Sequence, residues 1–393
     1  MALKRRRFLG NTATALAGTL LYPGASRMVF ANDFDTSLSN ALSGGLPAEK
    51  DLVFPGQPEN PEMRESVNIW LFAEDGSFAF PRMALEAEAW SWDKRMYDSN
   101  FAFAGGRVMK SFGWGAVPSP IDDRGQPAVF GGGPLTFRCI EPFKRWLVSF
   151  DGEVVDGDVS QQMDRSFGKT PELVPVRMEA ELEMVTPAWV QDRAPEKVAQ
   201  MSRQDQLNAE FMGVGYRFEH LFRGDGELSV AGGPNKPFRS VGSRIHRQSV
   251  RPSTTLANDW LGHCWQSAVF PDGRAFGCCA YPNSSMDGWT YNDAYVYLDG
   301  QMHVARMVKT PWLDKLLAEG DDCSLELEYS GGRIRIGGRT TLTTFTLMTE
   351  GPMAGFALNQ TGAWYSWDDQ RAIGMMERSS SFEVLGGLPG QGA

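Results

Sequence analysis

The sequence predicts an all-β protein made of two packed antiparallel domains, each a barrel or a sandwich, with few short helices. Short segments of alternating apolar and polar residues recur along the chain, and Asp-Gly turns separate many of them. One polar stretch without glycine, residues 195–208, interrupts this series near its middle. Since about 360 residues follow an N-terminal signal, two domains are the ordinary expectation. These observations favour two β domains.

The first half of the chain starts with a leader and continues as strands. Residues 32–64 are rich in Ser, Asn, Pro and Gly, which indicates an extended leader and not a packed element. The clearest strand is residues 176–184, where Val, Met, Ala and Leu alternate with glutamate and other polar residues. A period of two is typical of a strand with one buried face. Further strands are predicted at residues 67–72, 77–80 and 145–150.

A polar, helix-compatible interlude at residues 187–212 divides this half from the next. We place the domain boundary near residue 205, which gives an N-terminal domain at 65–205, a C-terminal domain at 206–385 and a flexible tail at 386–393. The strands predicted in the second half are residues 213–222, 265–270, 275–281, 294–298, 324–329, 333–336, 341–348, 363–367 and 371–377.

The N-terminus resembles a twin-arginine export signal. Lys4-Arg5-Arg6-Arg7-Phe8-Leu9-Gly10 is followed by a mildly apolar run at 15–21 and by the small-residue cleavage positions Val29 and Ala31. We expect residues 1–31 to be removed after the twin-arginine export machinery has moved the protein to the periplasm or outside the cell. The alternative is an uncleaved membrane anchor, but the apolar run is shorter than the ~18 residues that span a bilayer.

Charge excludes two classes of partner. The net charge of the chain is −10, and removal of five basic residues with the signal leaves 33 basic and 48 acidic side chains, a net charge of −15. Nucleic acid and anionic membrane surfaces both require a basic face, so we expect neither as a partner. After the signal, no segment is long and apolar enough to predict a stable membrane span.

The cysteines and histidines predict neither a disulfide framework nor a metal centre. The odd number of cysteines and the lack of a C-x-x-C pair indicate buried thiols, with one bridge left open as an alternative: Cys139, Cys264, Cys278, Cys279 and Cys323. No two of the four histidines have metal-ligand spacing: His220, His246, His263 and His303. Residues 130–134 lack the G-x-G-x-x-G order of a nucleotide site, so no cofactor is expected.

Several motifs resemble one family. Phe270-Pro-Asp-Gly-Arg-Ala-Phe276, Tyr291-Asn-Asp293 and Trp364-Tyr-Ser-Trp367 are similar to segments of the two-domain lipocalin-like proteins related to bacterial carotenoid 1,2-hydratases, the AttH-like group. Residues 141–152 resemble a segment of the first domain of the same proteins. The resemblance touches most of residues 65–380. It implies two lipocalin-like domains and hydratase-like chemistry on a hydrophobic molecule.

That family carries a signature of the form R-D-H-x-W-G, whose His and Trp belong to the cavity where a double bond is protonated. The nearest stretch here is Arg244-Ile-His-Arg-Gln-Ser249, which keeps the Arg and His246 but replaces the acid, the Trp and the Gly. An alternative placement is Gly262-His-Cys-Trp265, which keeps an H-x-W. The resemblance therefore points to His246 or to His263.

Water addition to an alkene requires an acid in a dry pocket, aromatic faces that shelter a carbocation, and a positioned water molecule. A lipocalin-like barrel mouth offers dry aromatic walls. The residue types that supply this chemistry cluster between residues 258 and 293. The candidate catalytic residues are Asp293, His263, Tyr291, Asp259 and His246, and the candidate substrate-binding residues are Trp265, Tyr281 and Trp260.

Each candidate also has a purely structural interpretation. Asp259 is of a type common in turns, Asp293 can cap a strand end, Trp265 can fill a core, and His246 and His263 can be structural histidines. Those alternatives remain open at the level of sequence.

Glu219 is a further candidate that depends on which way its strand faces. Alternation in residues 216–222 places Tyr216, Phe218 and His220 on one face and Glu219 on the other. A glutamate in a barrel interior acquires a raised pKa and can act as an acid, whereas one on the outside only aids solubility. We favour the second interpretation here.

Two functions from different classes fit these observations. The first is an exported, cofactor-independent lyase or isomerase that acts on a large apolar substrate such as a terpenoid, carotenoid or steroid. The alternative is a non-catalytic periplasmic carrier of the same ligands, which needs an apolar cavity and no proton donor. A third hypothesis, sugar binding, requires that Trp90 and Trp92 be exposed and coplanar.

Overall fold

Antiparallel strands form nearly all the regular structure in the computed structural model, which describes residues 39–193, 195–251, 261–283, 286–351 and 353–388. The strands of the first half are β1 (Met63–Ala73), β2 (Phe78–Glu88), β3 (Lys94–Phe103), β4 (Arg107–Ala116), β5 (Val129–Gly132), β6 (Leu135–Glu141), β7 (Arg145–Asp158), β8 (Glu172–Met184), β9 (Trp189–Arg193), β10 (Val214–Val230) and β11 (Lys236–Val250). The strands of the second half are β12 (Gly262–Val269), β13 (Ala275–Pro282), β14 (Trp289–Leu298), β15 (Gln301–Lys309), β16 (Leu325–Tyr329), β17 (Gly332–Met348), β18 (Phe356–Trp367) and β19 (Gln370–Ser381). The helices in the described residues are α1 (Val159–Met163), α2 (Pro195–Val198) and α3 (Arg203–Met212).

The first eleven strands form one sheet whose ends meet. The order is β4-β3-β2-β1-β11-β10-β8-β7-β6-β5, β9 pairs with β10, and β4 also pairs with β7. The last pairing closes eight of these strands into a ring, which we call the first barrel. Its interior is filled mainly by aromatic and aliphatic side chains.

Strands β12 to β19 form a second, closed antiparallel barrel in simple sequential order. Two-residue turns join some of its strands. Asp299 and Gly300 connect β14 to β15 with φ angles of 51° and 75°, and Leu298 pairs with Gln301 across the turn. Two successive positive φ angles define the turn type whose twist matches antiparallel strands, which explains why Asp-Gly occurs here. The predicted all-β class with few short helices is confirmed.

Alternation along the strands tells which faces are buried. In β8 every second residue from Val174 to Met184 is buried and the residues between them are exposed, as the sequence predicts. In β1, by contrast, nearly every residue is buried. One face of β1 points into the first barrel and the other packs against the second barrel, so the two barrels share a continuous interface.

The boundary expected near residue 205 falls before two strands of the first barrel. β10 and β11 hydrogen-bond to β8 and β1, and the second barrel begins only at β12. The polar interlude forms β9, α2 and α3, which lie between β8 and β10. Because β8 and β10 pair directly, the interlude is an excursion within the first sheet and not a linker between domains.

The leader packs against the first barrel instead of lying free of it. Asp51 is completely buried and its Oδ1 accepts a 2.6 Å hydrogen bond from the guanidinium of Arg244. Its Oδ2 accepts from the indole N–H of Trp146 at 2.9 Å. Asn40 accepts a hydrogen bond from the backbone N–H of Met302 in the second barrel. The described part of the leader therefore contacts both barrels, and its Asp51 neutralises a buried arginine of the first.

The five cysteines are buried free thiols, and burial raises the pKa of Cys264 and of Cys323 to about 12. They lie in the cores of the two barrels and at the interface between them. Among the described helices, none has the length and apolar character needed to cross a bilayer.

Candidate functional site

Five of the predicted site residues lie on one face of the second barrel, the face that packs against the first barrel. Within this sheet Trp265 is paired with Cys279 and Cys279 with Asp293, while Tyr281 is paired with Tyr291. Residues two apart on a strand share a face. The strand register therefore brings together the side chains of His263, Trp265, Tyr281, Tyr291 and Asp293.

Tyr281 and Tyr291 form an aromatic wall on this face. Their rings are stacked at a centroid distance of 5.0 Å and an interplanar angle of 26°. The hydroxyl of Tyr291 lies 3.1 Å from Oδ2 of Asp293, to which it donates. Tyr281 is buried, whereas Tyr291 and Asp293 are half-buried. The stacked rings provide apolar surface, and a phenol hydroxyl and a carboxylate lie at its edge.

His263 is held between two residues of β19. Its Nε2 lies 3.1 Å from Oε1 of Glu377, and its Nδ1 lies 2.6 Å from the hydroxyl of Ser379. Because the carboxylate accepts, Nε2 carries the proton, and Nδ1 of a neutral ring accepts from the serine. Burial pushes the pKa of Glu377 up, but the hydrogen bonds from His263 and Gln360 and the charge of Arg82 outweigh it, so this pKa lies below its ordinary value.

Glu219 of the first barrel meets this face. It lies on β10, is 1% exposed, and its Oε2 accepts a 2.7 Å hydrogen bond from the indole N–H of Trp265. Burial raises the pKa of Glu219 to about 7, although the hydroxyls of Ser267 and Ser243, the indole of Trp265 and the charge of Arg217 oppose the rise. The interpretation of Glu219 as a solubilising residue is wrong. The face of β10 that carries Glu219 lies outside the first barrel, but the second barrel packs against it and buries it.

Aromatic and cationic groups surround Glu219. The guanidinium of Arg217 lies 3.7 Å from the ring centroid of Trp265, and the rings of Trp70 and Trp265 are 6.1 Å apart. Burial and then the charge of Glu219 raise the pKa of Tyr295. Among the described residues Oε1 of Glu219 has no hydrogen bond of normal geometry, although the two serine hydroxyls lie close enough to influence its pKa.

A network of charged residues continues from Glu219 along the first barrel. Arg82 bridges Glu86 and Asp98 at 3.2 and 2.9 Å, and its charge also acts on Glu377 of the second barrel. Its φ of 97° lies in the left-handed region that side chains rarely adopt, at an irregularity in the pairing of β2. Such strain often marks functional positions. The site thus contains charges from both barrels.

His246 lies elsewhere, inside the first barrel. It is buried on β11 with Nε2 3.1 Å from Oε1 of Glu65 and Nδ1 3.8 Å from Oδ1 of Asp51. Burial opposes the charged ring, but the nearby carboxylate of Asp51, the hydrogen bond with Glu65 and the charges of both acids raise the pKa of His246 above its ordinary value. The structure does not bring His246 to the other predicted site residues. Asp259 and Trp260 lie outside the described residues.

The first barrel also has an open groove at one end. Its volume is 1220 Å³, and the rings of Phe78, Phe103 and Phe238 form its apolar part. Phe78 and Phe238 meet edge to face at 5.1 Å. The charged rim includes Arg107 and Arg239. This groove is lined by residues other than those that surround Glu219.

Two further expectations concern the surface tryptophans and metals. Trp90 is exposed, but Trp92 packs against the core of the first barrel. The ring near Trp90 is that of Trp114, tilted by 55°, so the coplanar pair needed for sugar stacking is absent from the described surface. The described residues contain no group of three or more His, Cys, Asp or Glu placed to hold a metal ion.

The sequence around Glu219 does contain an indication that this residue is buried, although simple alternation along the strand suggests that it is exposed. Phe218, His220 and Phe222 alternate with Leu221 in β10, so both faces of this strand carry apolar residues. A strand buried on both faces reads as a nearly continuous apolar run. A glutamate within such a run is a candidate buried acid. The arginines and Glu377 have no comparable local signal.

Three solved structures are similar to this chain. A protein provisionally assigned as AttH from Nitrosomonas europaea superposes with a TM-score of 0.50 at 11% identity, over 84% of this chain and 98% of the other. Kievitone hydratase from Nectria haematococca gives a TM-score of 0.45 at 9% identity, over 88% and 96% of the two chains. CghA solved with Sch210972 gives 0.44 at 12% identity, over 84% and 93%.

The comparison with the first of these structures shows a shared two-domain fold. It supports, at the level of fold, the resemblance read from the sequence motifs. No protein-family model matches the chain, and no curated protein matches it in sequence.

Proposed function

We propose that the protein is an enzyme that adds protons to, and removes them from, a large hydrophobic molecule at the site between the barrels, as a hydratase or an isomerase does. One observation carries this proposal. Glu219 is a buried carboxyl with a pKa of about 7, and it lies among aromatic rings where the two barrels meet. A group with a pKa near the working pH can both give and accept a proton.

The surroundings of Glu219 suit a reaction that develops positive charge on carbon. Protonated Glu219 donates to one carbon of a double bond, and the resulting cation is stabilised by the faces of nearby rings. Once Glu219 has given up its proton, the indole N–H of Trp265 donates a hydrogen bond to its carboxylate and stabilises that charged form. Tyr281 and Tyr291 extend the aromatic surface on the same face.

The second step requires a base. In isomerisation a proton leaves a neighbouring carbon, and in hydration a water molecule loses a proton as it attacks. His263 accepts this proton at Nδ1 by way of the hydroxyl of Ser379, which passes its own proton to Nδ1 as it takes up the new one, because Nε2 already donates to Glu377. Glu377 then stabilises the imidazolium that forms, as an orienting carboxylate does in other His-dependent sites.

The substrate class is a terpenoid, a carotenoid or a steroid. Motif resemblance to the hydratase-related lipocalin-like proteins supports this class, and the aromatic character of the interface agrees with it. The chemistry described here uses side chains alone, so we propose that no cofactor takes part.

Deuterium incorporation tests the proposal without a known product. The full chain is incubated in heavy water with a panel of unsaturated terpenoids, carotenoids and steroids, and deuterium in the recovered molecules is measured by mass spectrometry. We expect incorporation with the native protein and its loss in Glu219→Gln. Glu179→Gln, an exposed position on β8, is the matched control and keeps native activity. Native rates in Glu219→Gln would refute the role of this carboxyl.

We also propose that the protein is exported by the twin-arginine pathway and works in the periplasm or outside the cell. The basic and apolar pattern of residues 4–31 supports this. Cell fractionation of a strain that expresses the full chain is the test, with Arg5, Arg6 and Arg7 all changed to Lys in the comparison strain. We expect the native chain outside the cytoplasm and the variant retained within it. Equal distribution of the two chains would contradict the proposal.

A second candidate function, a carrier of hydrophobic molecules, is favoured by the groove of the first barrel. This groove is open and lined by Phe78, Phe103 and Phe238, which suffices for binding. Phe238→Ala separates the two functions, because a carrier that uses the groove loses ligand affinity in this variant. An enzyme that uses the interface keeps its turnover.

A further inference from the structure

Four arginines lie together on the face of the first barrel that turns toward the second. We call them the arginine patch: Arg64, Arg217, Arg247 and Arg251. Arg217 and Arg247 are directly opposite each other across β10 and β11, and Arg64 is opposite Ser249, which is two residues from Arg247 on the same face. Residues directly opposite on antiparallel strands have Cβ atoms roughly 5 Å apart, and like charges there are destabilising.

Arg82, which lies outside the patch, takes part of the negative charge near it. Glu86 binds Arg64 at 3.2 Å and also binds Arg82 at 3.2 Å. Asp98 binds Arg82 as well, at 2.9 Å. Glu86 is therefore divided between Arg64 of the patch and Arg82 outside it, while Arg217 acts on Glu219 and Glu88 acts on Arg251.

Arg247 is the member of the patch whose positive charge is not balanced by an ion pair with a carboxylate of the described residues. Only 8% of its surface is exposed, and within the described parts of the chain it forms no ion pair with Asp or Glu. Burial, and then the charges of Arg64 and Arg217, lower its pKa, while Glu86 acts in the opposite direction. A buried guanidinium without an anion is costly, because its lost hydration is not replaced. An anion that entered this site would restore the balance.

We propose that the arginine patch binds a carboxylate of the substrate, so that the molecule processed between the barrels is a hydrophobic carboxylic acid and not a neutral hydrocarbon. The planar fork of an arginine matches the two oxygens of a carboxylate. This inference deepens the proposed function and rests on it.

The position of the patch also orients the substrate. Arg217 packs on the ring of Trp265, and that ring hydrogen-bonds to Glu219. Arg217 and Glu219 are two residues apart on one face of β10, which corresponds to roughly 7 Å along the strand. The reacting carbons therefore lie near the carboxylate end of the molecule, and the apolar end extends along the aromatic interface.

A matched pair of fluorescent probes tests the inference. The full chain is titrated with cis-parinaric acid, a conjugated polyene carboxylic acid, and with its methyl ester, which has the same apolar part without the charge. We expect the native protein to bind the acid at least about tenfold more tightly than the ester, as a charge-assisted hydrogen-bonded contact implies. Equal affinity for both probes overturns the inference and leaves the apolar site intact. If neither probe binds, the proposed apolar site fails, and the inference fails with it.

Three variants assign the preference to the patch. Arg247→Gln is expected to bind the acid no better than the ester, with unchanged affinity for the ester, and Arg247→Lys to keep part of the preference. Arg335→Gln removes an exposed arginine of the second barrel and is the matched control, which binds as the native protein does. A thermal scan checks that each variant is folded. Retention of the full preference in a folded Arg247→Gln would overturn the assignment.

Discussion

The indole N–H of Trp265 in the second barrel donates a 2.7 Å hydrogen bond to Oε2 of Glu219 in the first barrel. This bond joins a glutamate with a pKa of about 7 to the strand that also carries His263. Both partners are almost completely buried. The contact therefore places a titratable carboxyl at the seam between the barrels, and it fixes how the two faces meet.

Loss of the indole N–H is expected to raise the pKa of Glu219 further. Trp265→Phe keeps an aromatic ring but removes the donor that stabilises the carboxylate, so the pKa rises from about 7 by about one pH unit. The alkaline limb of the rate of deuterium incorporation moves by the same amount. Trp289→Phe, which loses a hydrogen bond to Thr310 away from the site, is the control. An unchanged pH profile in Trp265→Phe would show that the bond does not influence the proton-transfer group.

Glu219 gives the stability of the protein a defined pH dependence. Its pKa is about 7 in the folded protein and ordinarily 4.5, so between these values the folded state binds more protons than the unfolded state. Stability from this group is therefore lost as the pH rises from about 4.5 to 7. In Glu219→Gln we expect this loss to vanish. The free energy of unfolding of the variant, relative to that of the native protein, should therefore increase by on the order of 3 kcal/mol from pH 4.5 to pH 8.

Urea unfolding of both proteins across this range measures the difference directly. Glu179→Gln serves as control, because an exposed glutamate contributes little to this pH dependence. A difference between native and Glu219→Gln that stays constant with pH contradicts the raised pKa.

Asp51 is expected to be essential for stability because it neutralises Arg244 inside the first barrel. Asp51→Asn removes the negative charge that neutralises the buried guanidinium of Arg244 and should cost about 3 kcal/mol or more. Burial opposes ionisation of Asp51, but the charges of Arg244 and His246 prevail and lower its pKa. Its contribution is thus present above the ordinary pKa and is lost as the pH falls below that value.

Denaturant unfolding near pH 7 compares Asp51→Asn with Asp314→Asn, an exposed control. A small effect of both variants would show that the docked leader adds little to the first barrel.

His263 and Asp293 are expected to influence turnover to different extents. His263→Ala removes the proton acceptor and should lower the rate of deuterium incorporation by about 10²-fold or more. Asp293→Asn keeps the contact with the hydroxyl of Tyr291 but removes a charge, so its effect is smaller. His303→Ala, which removes a half-buried histidine of the second barrel, is the control. If His263→Ala and Asp293→Asn both turn over at the native rate, neither residue has a catalytic role.

Local patterns in the sequence predict many of the strands and the shared face of Tyr291 and Asp293, but not β3 to β6, β9, β11 or β15. Alternation identified β8, and an Asp-Gly pair identified the turn between β14 and β15, because both signals depend only on neighbouring residues. Tyr291 and Asp293 could be placed on one face for the same reason. Their proximity to Trp265 then follows from antiparallel pairing with β13.

What the sequence could not provide is the contact between faces that are distant along the chain. The alternation of β10 favours solvent for Glu219, and the apolar residues on both faces of the strand do not say that a second barrel covers this one. The domain boundary was expected near residue 205 because a polar stretch looks the same as a linker or as an excursion between paired strands. The residues of the arginine patch come from three strands that are distant in sequence, so no single segment predicts that they lie together.

The measurement that tests the central claim most directly is an infrared titration of Glu219, which requires no substrate. Difference spectra between the native protein and Glu219→Gln are recorded from pH 5 to pH 9 in the carboxylic C=O region. We expect one protonated carboxyl band that is present at pH 5, disappears with a midpoint near pH 7 and is absent from the variant. Absence of that band from the native protein at pH 5 would mean that Glu219 is already ionised there, and it would contradict a proton-transfer role for this residue at neutral pH.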